Sequence, residues 1–515
     1  MSSVLIDAEP VPLATLVRWA RGDAVFAFAP AALARLAADR VVVEQHAAAG
    51  KPVYGLNTGL GGNLGYRLTA DEVIAFQQQV IRGRMIGMGD PLPIDVVRSA
   101  LLARVCSLAR GGSGVSAGVA QALLALVNAG ITPVVPSIGS IGAGDLGLCA
   151  HMVAPVIGEG EVFYRGNRID AAQALLQAGL LPARLQPKDG LGLINASPLT
   201  AGHAAVVADS LDRFLLTAAA VAALAVEAYA ANLGVYDPRI AAARPAGAQT
   251  AAAALFRAML AGSSLYQQPP RAIQDAISFR TTAQVFGAVY AAHASLREAV
   301  DAEINGTSDS PIVFAAQGDM VSSPNFHTSV IALTFDAMAI ALVQLASASV
   351  QRIIKLQTPQ LSGLPRYLSP VGGASVGFNA MQKTAAALHA EIRLHSTPAS
   401  TDAVVVSDTV EDHATHAMLA VRKLAAQLQL MHMLLGLEAM VAAQAADLRQ
   451  VGGLGAGSAA VYARVRERVA ALEQDRPTGR DAMMVAQALR GASLHDTLRS
   501  ICAGGMQGHV LAGLG

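Results

Sequence analysis

The chain has 515 residues, 53% hydrophobic and only 14% charged, with aromatics at 4%, so its apolar content is mostly small and aliphatic. Lys plus Arg and Asp plus Glu balance at 37 each, which excludes the basic face a nucleic-acid partner needs and points to a small molecule instead. Cys106, Cys149 and Cys502 are odd in number and widely spaced, which excludes a disulfide framework or metal site and fits a reducing cytoplasm.

The N-terminal stretch MSSVLIDAEPVPLATLV has acids and prolines where a secretion signal has a basic and then a continuous apolar segment, so a cytoplasmic protein is expected. YGLNTGLGGNLG, from Tyr54, is glycine-rich but lacks the Gly-Lys-Ser/Thr ending of a phosphate cradle. No strand, helix and distant acid frame it as a dinucleotide fingerprint either. It reads as a flexible loop that carries a tyrosine into a cleft. TADEVIAFQQQVIRGRMIGMG follows as a helix, opened by Thr69 and Glu72 at capping-box spacing. Two short hairpins are expected: GEVFYRGNRID, turning at Arg165 to Asn167, and PIVFAAQGDMVS, turning near Gly318.

Two apolar stretches, from Phe214 and from Val330, are long enough to cross a bilayer. Each carries an acid, Glu227 or Asp336, and neither is bracketed by an aromatic belt, so both are expected as buried core helices, with no membrane partner. Ala/Leu/Met-rich segments from Thr328 to Gln357 and from Val410 to Arg449 run without a proline and should form a central bundle. One chain can hardly bury so many apolar helix faces, which implies a helical homo-oligomer. DRPTGRD, Asp475 to Asp481, reads as a loop before a short C-terminal helical section. Without internal repeats or low-complexity linkers, residues 1–515 read as a single mainly α-helical unit. Its parts are an N-terminal region (1–200), a central long-helix bundle (201–450) and a C-terminal helical region (451–515).

The segments YGLNTGLG, TPVVPSIGSIGAGDLGLCAHM, KDGLGLINAS, QDAISFR with the following AQVFGA, NGTSDSPIVF, SSPNFH and VEDHATHAM carry a combined pattern. In their order and spacing, over roughly residues 50 to 420, the chain resembles the histidine and aromatic amino acid ammonia-lyase family. The resemblance implies a mainly α-helical homotetramer with long central helices, few short β-hairpins, and active sites built from loops of several subunits. It matches Tyr54 to the tyrosine base that removes the β-proton and Arg280 to the arginine that holds the substrate carboxylate. Asn195, Gln274 and Phe326 match pocket-lining residues, and Glu411 matches the glutamate facing the substrate side chain and amine. The residue chemistry agrees in part: arginine suits a bidentate grip on a carboxylate, and a tyrosine acts as a base where cations or helix N-termini lower its pKa. Taken singly, Tyr54 reads as a loop-packing tyrosine and Arg280 as a surface or interface cation. His151 and His413 read as structural, because neither has metal-ligand spacing, and no metal is expected.

The departures from the family pattern carry the information. In the family, Ala-Ser-Gly cyclises and loses water to form methylidene-imidazolone, the electrophile that engages the substrate. In GSIGAGDLGLCAH, Gly139 to His151, Ala143 is followed directly by Gly144 and the serine is missing. Ser140 is the nearest substitute, but Ile141 follows it, and a β-branched residue at the attacking nitrogen crowds ring closure. No such prosthetic group, and no other cofactor, is expected. Arg84 stands where histidine-specific members have histidine, and Ile277 replaces a tyrosine close to Arg280. Lys383, one of only five lysines, has two readings: a solvated helix lysine, or a partner of Glu411 that binds an anionic or thione group.

An elimination without the electrophile requires a leaving group that departs unaided. A primary ammonium has acidic N–H protons that a base would take first, whereas a trimethylammonium has none and leaves as neutral trimethylamine. The expected reaction is therefore loss of trimethylamine from an aromatic amino acid betaine, above all ergothioneine, giving thiourocanate. Arg280 and Asn195 would hold its carboxylate, Tyr54 would take the β-proton, and Glu411, Lys383 and Arg84 would contact the ring. The alternatives are a histidine or aromatic amino acid ammonia-lyase and an inactive relative serving as a binding or assembly subunit.

Overall fold

The computed structural model describes residues 3–50, 53–59, 65–402 and 405–505. Among them are twenty α-helices and nine strands. No strand exceeds four residues, so helix packing carries the fold. The chain divides into two compact units, one of residues 1–209, 297–335 and 398–422, the other of residues 210–296, 336–397 and 423–515. Four helices are long: Pro198–Tyr229, Thr282–Ile304, Ser329–Leu356 and Ala417–Arg449.

In the first unit the helix Ile94–Arg110 is buried continuously from Ser99 to Ala109, including its one mid-helix arginine, Arg104. The abundance of small residues explains how neighbours approach it. A Cβ placed on Gly202 would lie 2.4 Å from the backbone nitrogen of Ala100, so only glycine permits this helix crossing. The helix Ala70–Arg82 begins with the full capping box: Thr69 Oγ1 accepts from the Glu72 amide and the Glu72 carboxylate accepts from Thr69 N. Both expected hairpins form. Glu161–Tyr164 pairs antiparallel with Asn167–Asp170 across Arg165 and Gly166, both at positive φ, and Ile312–Phe314 pairs with Asp319–Val321 across a turn ending at Gly318.

In the second unit, rings of Tyr236 and Phe256 stack at 5.2 Å, and Phe256 meets Phe286 edge-on at 5.2 Å. Arg352 and Glu438 form a fully buried ion pair, with Arg352 Nη2 donating to Glu438 Oε2 at 3.1 Å and Ser349 Oγ donating to the same oxygen at 2.5 Å.

Ser329–Leu356 and Ala417–Arg449 have the length and hydropathy of membrane spans, yet 50% and 67% of their most apolar windows are buried within the structure. The acids in the apolar stretches have internal partners. Asp336 accepts from Lys423 Nζ at 3.1 Å, and Glu227 accepts from the Gly455 amide at 2.9 Å, as core helices require. The second bundle helix starts at Ala417, later than the Val410 of the sequence reading. His416, immediately before it, takes positive φ, which a right-handed helix cannot contain.

Removing one partner of the Arg352–Glu438 pair strands the other charge in the core. Glu438→Ala should lower stability by about 3–5 kcal/mol, whereas Arg352→Met with Glu438→Leu should cost little or nothing. Thermal denaturation of the two variants beside the unaltered protein checks both outcomes.

Candidate active site

The tyrosine loop is anchored from below. Leu56 is fully buried against Val42, Val43 and Val313, which fixes the turn that presents half-buried Tyr54. Asn57 closes that turn by accepting from the Val53 amide at 2.8 Å, and Gly55 at φ +67 supplies the left-handed step. The returning strand is tied by Gly59 N donating to Tyr66 O and Leu68 N donating to Asn57 O, each at 3.0 Å. Residues 60–64 of the glycine-rich motif lie outside the described residues.

The serine-less loop is held on every side. Gly142 O accepts from Thr415 Oγ1 at 3.1 Å and from Thr328 Oγ1 at 3.3 Å, and Ile141 O accepts from His416 N at 2.9 Å. Ala143 bridges to His327, and Gly144 N donates to Phe326 O at 3.0 Å. Gly142 sits at φ +82, and a Cβ there would fall 1.9 Å from Thr415 Oγ1. Ser140, weighed in sequence as a source of the methylidene, instead donates to Asp145 Oδ1 at 2.8 Å and accepts from the Gly142 amide at 3.1 Å. Burial pushes the fully enclosed Asp145 carboxyl upward in pKa, and hydrogen bonds from Thr200 and Ser140 oppose that rise.

These residues do not fit the methylidene-imidazolone. Ring closure joins a glycine nitrogen to the carbonyl two residues earlier, here Gly144 to Gly142 across Ala143. The methyl of Ala143 has no hydroxyl to leave as water, so no methylidene can form. Both reacting groups are also engaged: the Gly144 N–H by Phe326 O and the Gly142 carbonyl by two threonine hydroxyls.

The first unit gathers five of the expected site residues: Tyr54, Arg84, Asn195, Phe326 and Glu411. Asn195 caps the short helix Asp189–Ile194, is 6% exposed, and donates through Nδ2 to Ser310 O at 2.6 Å. Phe326 is tied through its carbonyl to Gly144 and to Ser197 Oγ, at 2.8 Å. Glu411 pairs its backbone with Val406 and accepts from Ser407 Oγ at 2.8 Å. Burial pulls the Arg84 guanidinium down in pKa, while Tyr54 and Glu411, both within electrostatic reach, push it back up. Arg84 also lines an open cleft with Tyr66, Leu68, Phe76 and Gln79. Beside the loop, His413 Nδ1 lies 3.1 Å from His327 Nε2.

The second unit carries Gln274, Arg280 and Lys383. Arg280, at the end of the single-turn helix Ile277–Arg280, donates to Gln274 Oε1, so these two form one polar group. Lys383 is exposed and donates to Asn379 Oδ1, one turn earlier in the helix Asn379–Leu394. The entry to that helix is clamped by Asp475, whose carboxylate accepts from Ser375 Oγ at 2.7 Å and from the Val376 and Gly377 amides at 2.7 and 2.9 Å.

Residues 11–467 match the family model for aromatic amino acid lyases. The chain belongs to the aromatic amino acid lyase family. Membership in this family makes the chain a carbon–nitrogen lyase. Histidine ammonia-lyase of Treponema denticola is 36% identical to this family member over 482 residues, 93% of this chain and 95% of that one. Histidine ammonia-lyase of Deinococcus radiodurans is 39% identical over 453 residues, 87% and 86% of the two chains. Among solved structures, the ergothioneine-degrading enzyme ergothionase from Treponema denticola, in complex with desmethyl-ergothioneine sulfonic acid, superposes with a TM-score of 0.92. It is 30% identical, covering 96% of this chain and 99% of that one. Histidine ammonia-lyase from Trypanosoma cruzi superposes at 0.90 with 28% identity, covering 100% and 98%.

Within this aromatic amino acid lyase, the sequence reading assigned no role to the Asp145 carboxylate, to Asp475 as a clamp on Ser375–Gly377, or to Arg104. Asp145 and Asp475 lie in segments read only as loops, and Arg104 lies in a helix with no motif. The intact mass of the purified protein should equal its sequence mass. A deficit of two waters by mass spectrometry would show that a ring had formed.

Proposed function

We propose that this aromatic amino acid lyase eliminates trimethylamine from an aromatic amino acid betaine, most specifically ergothioneine, yielding thiourocanate, and so acts as an ergothionase. One observation carries the reading: the Gly142–Gly144 segment cannot supply the electrophile, while the residues matched to base and carboxylate recognition are kept. The likeness to the Treponema ergothionase structure supports the same substrate class.

In the proposed reaction Tyr54, as phenolate, takes the β-proton. The C–H electron pair becomes the Cα–Cβ double bond, the C–N bond breaks, and its pair leaves with neutral trimethylamine. Tyr54 then returns the proton to solvent. Arg84 lies within electrostatic reach of Tyr54 and carries a positive charge on that side of the loop. Arg280 and Asn195 hold the carboxylate, and Gln274 and Phe326 line the pocket. Glu411, Lys383 and Arg84 meet the ring, whose conjugation spreads the charge that develops on the β-carbon. No cofactor takes part. A homotetramer completes the proposal. Val330, Leu333 and Ile340 on Ser329–Leu356 are 63%, 61% and 49% exposed, apolar surface suited to a second copy of this chain.

Incubation with ergothioneine, histidine, phenylalanine and tyrosine, followed by amine detection and the ultraviolet spectrum of the unsaturated acid, tests the reading. Trimethylamine and thiourocanate are expected from ergothioneine. Ammonia from histidine at an ordinary enzymatic rate would instead establish an ammonia-lyase, and no turnover of any substrate an inactive family member. Tyr54→Phe should lower kcat by about 10²–10⁴-fold with substrate binding largely retained. A near-normal rate would remove Tyr54 as the base.

A further inference from the structure

Arg104 lies in the middle of the helix Ile94–Arg110 and is 1% exposed, an unusual place for a guanidinium. Its Nη1 donates to Asp309 Oδ2 at 2.9 Å and its Nη2 to Asp309 Oδ1 at 2.7 Å, a bidentate pair in which both side chains are fully buried. Nη2 also donates to the Gly192 carbonyl. These two contacts bracket one side chain. Gly192 lies in the helix Asp189–Ile194 that Asn195 caps, and Asp309 immediately precedes Ser310, whose carbonyl accepts from Asn195 Nδ2 at 2.6 Å.

That last bond has a chemical consequence. An amide offers two N–H donors and one carbonyl acceptor. Committing one donor to Ser310 O determines which way the Asn195 amide faces and leaves its second N–H to hold an anionic oxygen. The orientation is only as good as the position of Ser310 O relative to the Asn195 backbone. Arg104 grips both segments at once.

We propose that Arg104 is a positioning residue for the substrate carboxylate, acting through Asp309–Ser310 and Gly192 to hold the Asn195 amide in its donating orientation. This rests on the reading above, in which Asn195 binds the carboxylate of the acid. It assigns to the buried arginine a role in ligand selection beyond filling the core.

The test compares two ligands that differ only in the carboxylate: thiourocanate, and 4-vinyl-2-thioimidazole, which keeps the ring and double bond. Affinities are measured by titration calorimetry for the unaltered protein, Asn195→Ala and Arg104→Lys, with circular dichroism and melting as controls for folding. A cavity lined by Arg104, Ser107, Ser197 and Glu303 adjoins the guanidinium and gives the shorter lysine room for a water. Arg104→Lys keeps the charge but loses the bidentate geometry. It should weaken thiourocanate about tenfold and leave the vinyl compound unchanged, as Asn195→Ala should do more strongly. If Arg104→Lys does not fold, Asp309→Asn, of the same shape, carries the same readout. Equal loss for both ligands, or loss for neither, with Asn195→Ala still discriminating, overturns the positioning role alone. If Asn195→Ala weakens both alike, or the unaltered protein binds no thiourocanate, the underlying reading falls and the proposal with it.

Discussion

One peptide carbonyl, that of Gly142, joins three distant parts of the first unit. It accepts from Thr328 and Thr415, on either side of the loop, at 3.3 and 3.1 Å. Buried acceptors need donors, and here the donors come from the segments that carry Phe326 and Glu411. The adjoining bonds, Gly144 N to Phe326 O and His416 N to Ile141 O, extend the same seam. Because Gly142 has no room for a side chain, this contact specifies the loop's conformation as well as its neighbours. The placement of Phe326 and Glu411 depends on this loop.

Below the loop, the unit is organised by buried charge. Lys188 is fully enclosed, and its amino group donates to the Ser113 carbonyl. Burial pulls it down to about 8, while Asp309 and Asp39 oppose that fall. Asp39 accepts from the Gly112 amide at 2.5 Å and is pushed up to about 6 by burial. Desolvation cancels most of the attraction in such groups, so they add little net stability over apolar residues of equal volume. What they add is direction. A leucine in place of Lys188 or Arg104 could fill space, but it could not tie the backbone carbonyls of Ser113 and Gly192 to fixed positions.

The elements legible in sequence were those whose signal is local. The Thr69–Glu72 capping box, the glycine turns of the hairpins and the long proline-free helices each follow from a few consecutive residues. Three-residue strands such as Val4–Ile6, which pairs in parallel with Phe26–Phe28, carry too few residues to show alternation and depend on a partner some twenty residues away. The helix start at Ala417 was hidden because the positive-φ residue just before it is a histidine, His416, instead of a glycine. Site residues were legible only as a constellation. Tyr54 and Arg280 have no individual pattern that separates them from packing or surface residues, and Arg104, inside LLARVCSLAR, is marked only by its burial.

The fit of Ala143 between its neighbours bears on what it would take to build an electrophile in this loop. In sequence, the distance to an Ala-Ser-Gly segment is one serine between Ala143 and Gly144. In structure it is much larger, since the flanking glycines have no space for side chains and the two atoms that would close a ring already serve the hydrogen bonds that hold Phe326, Thr328 and Thr415 in place. The loop's hydrogen bonds therefore give it a structural role in the first unit. Installing an electrophile here would require dismantling those contacts, so packing as well as sequence stands against ring closure.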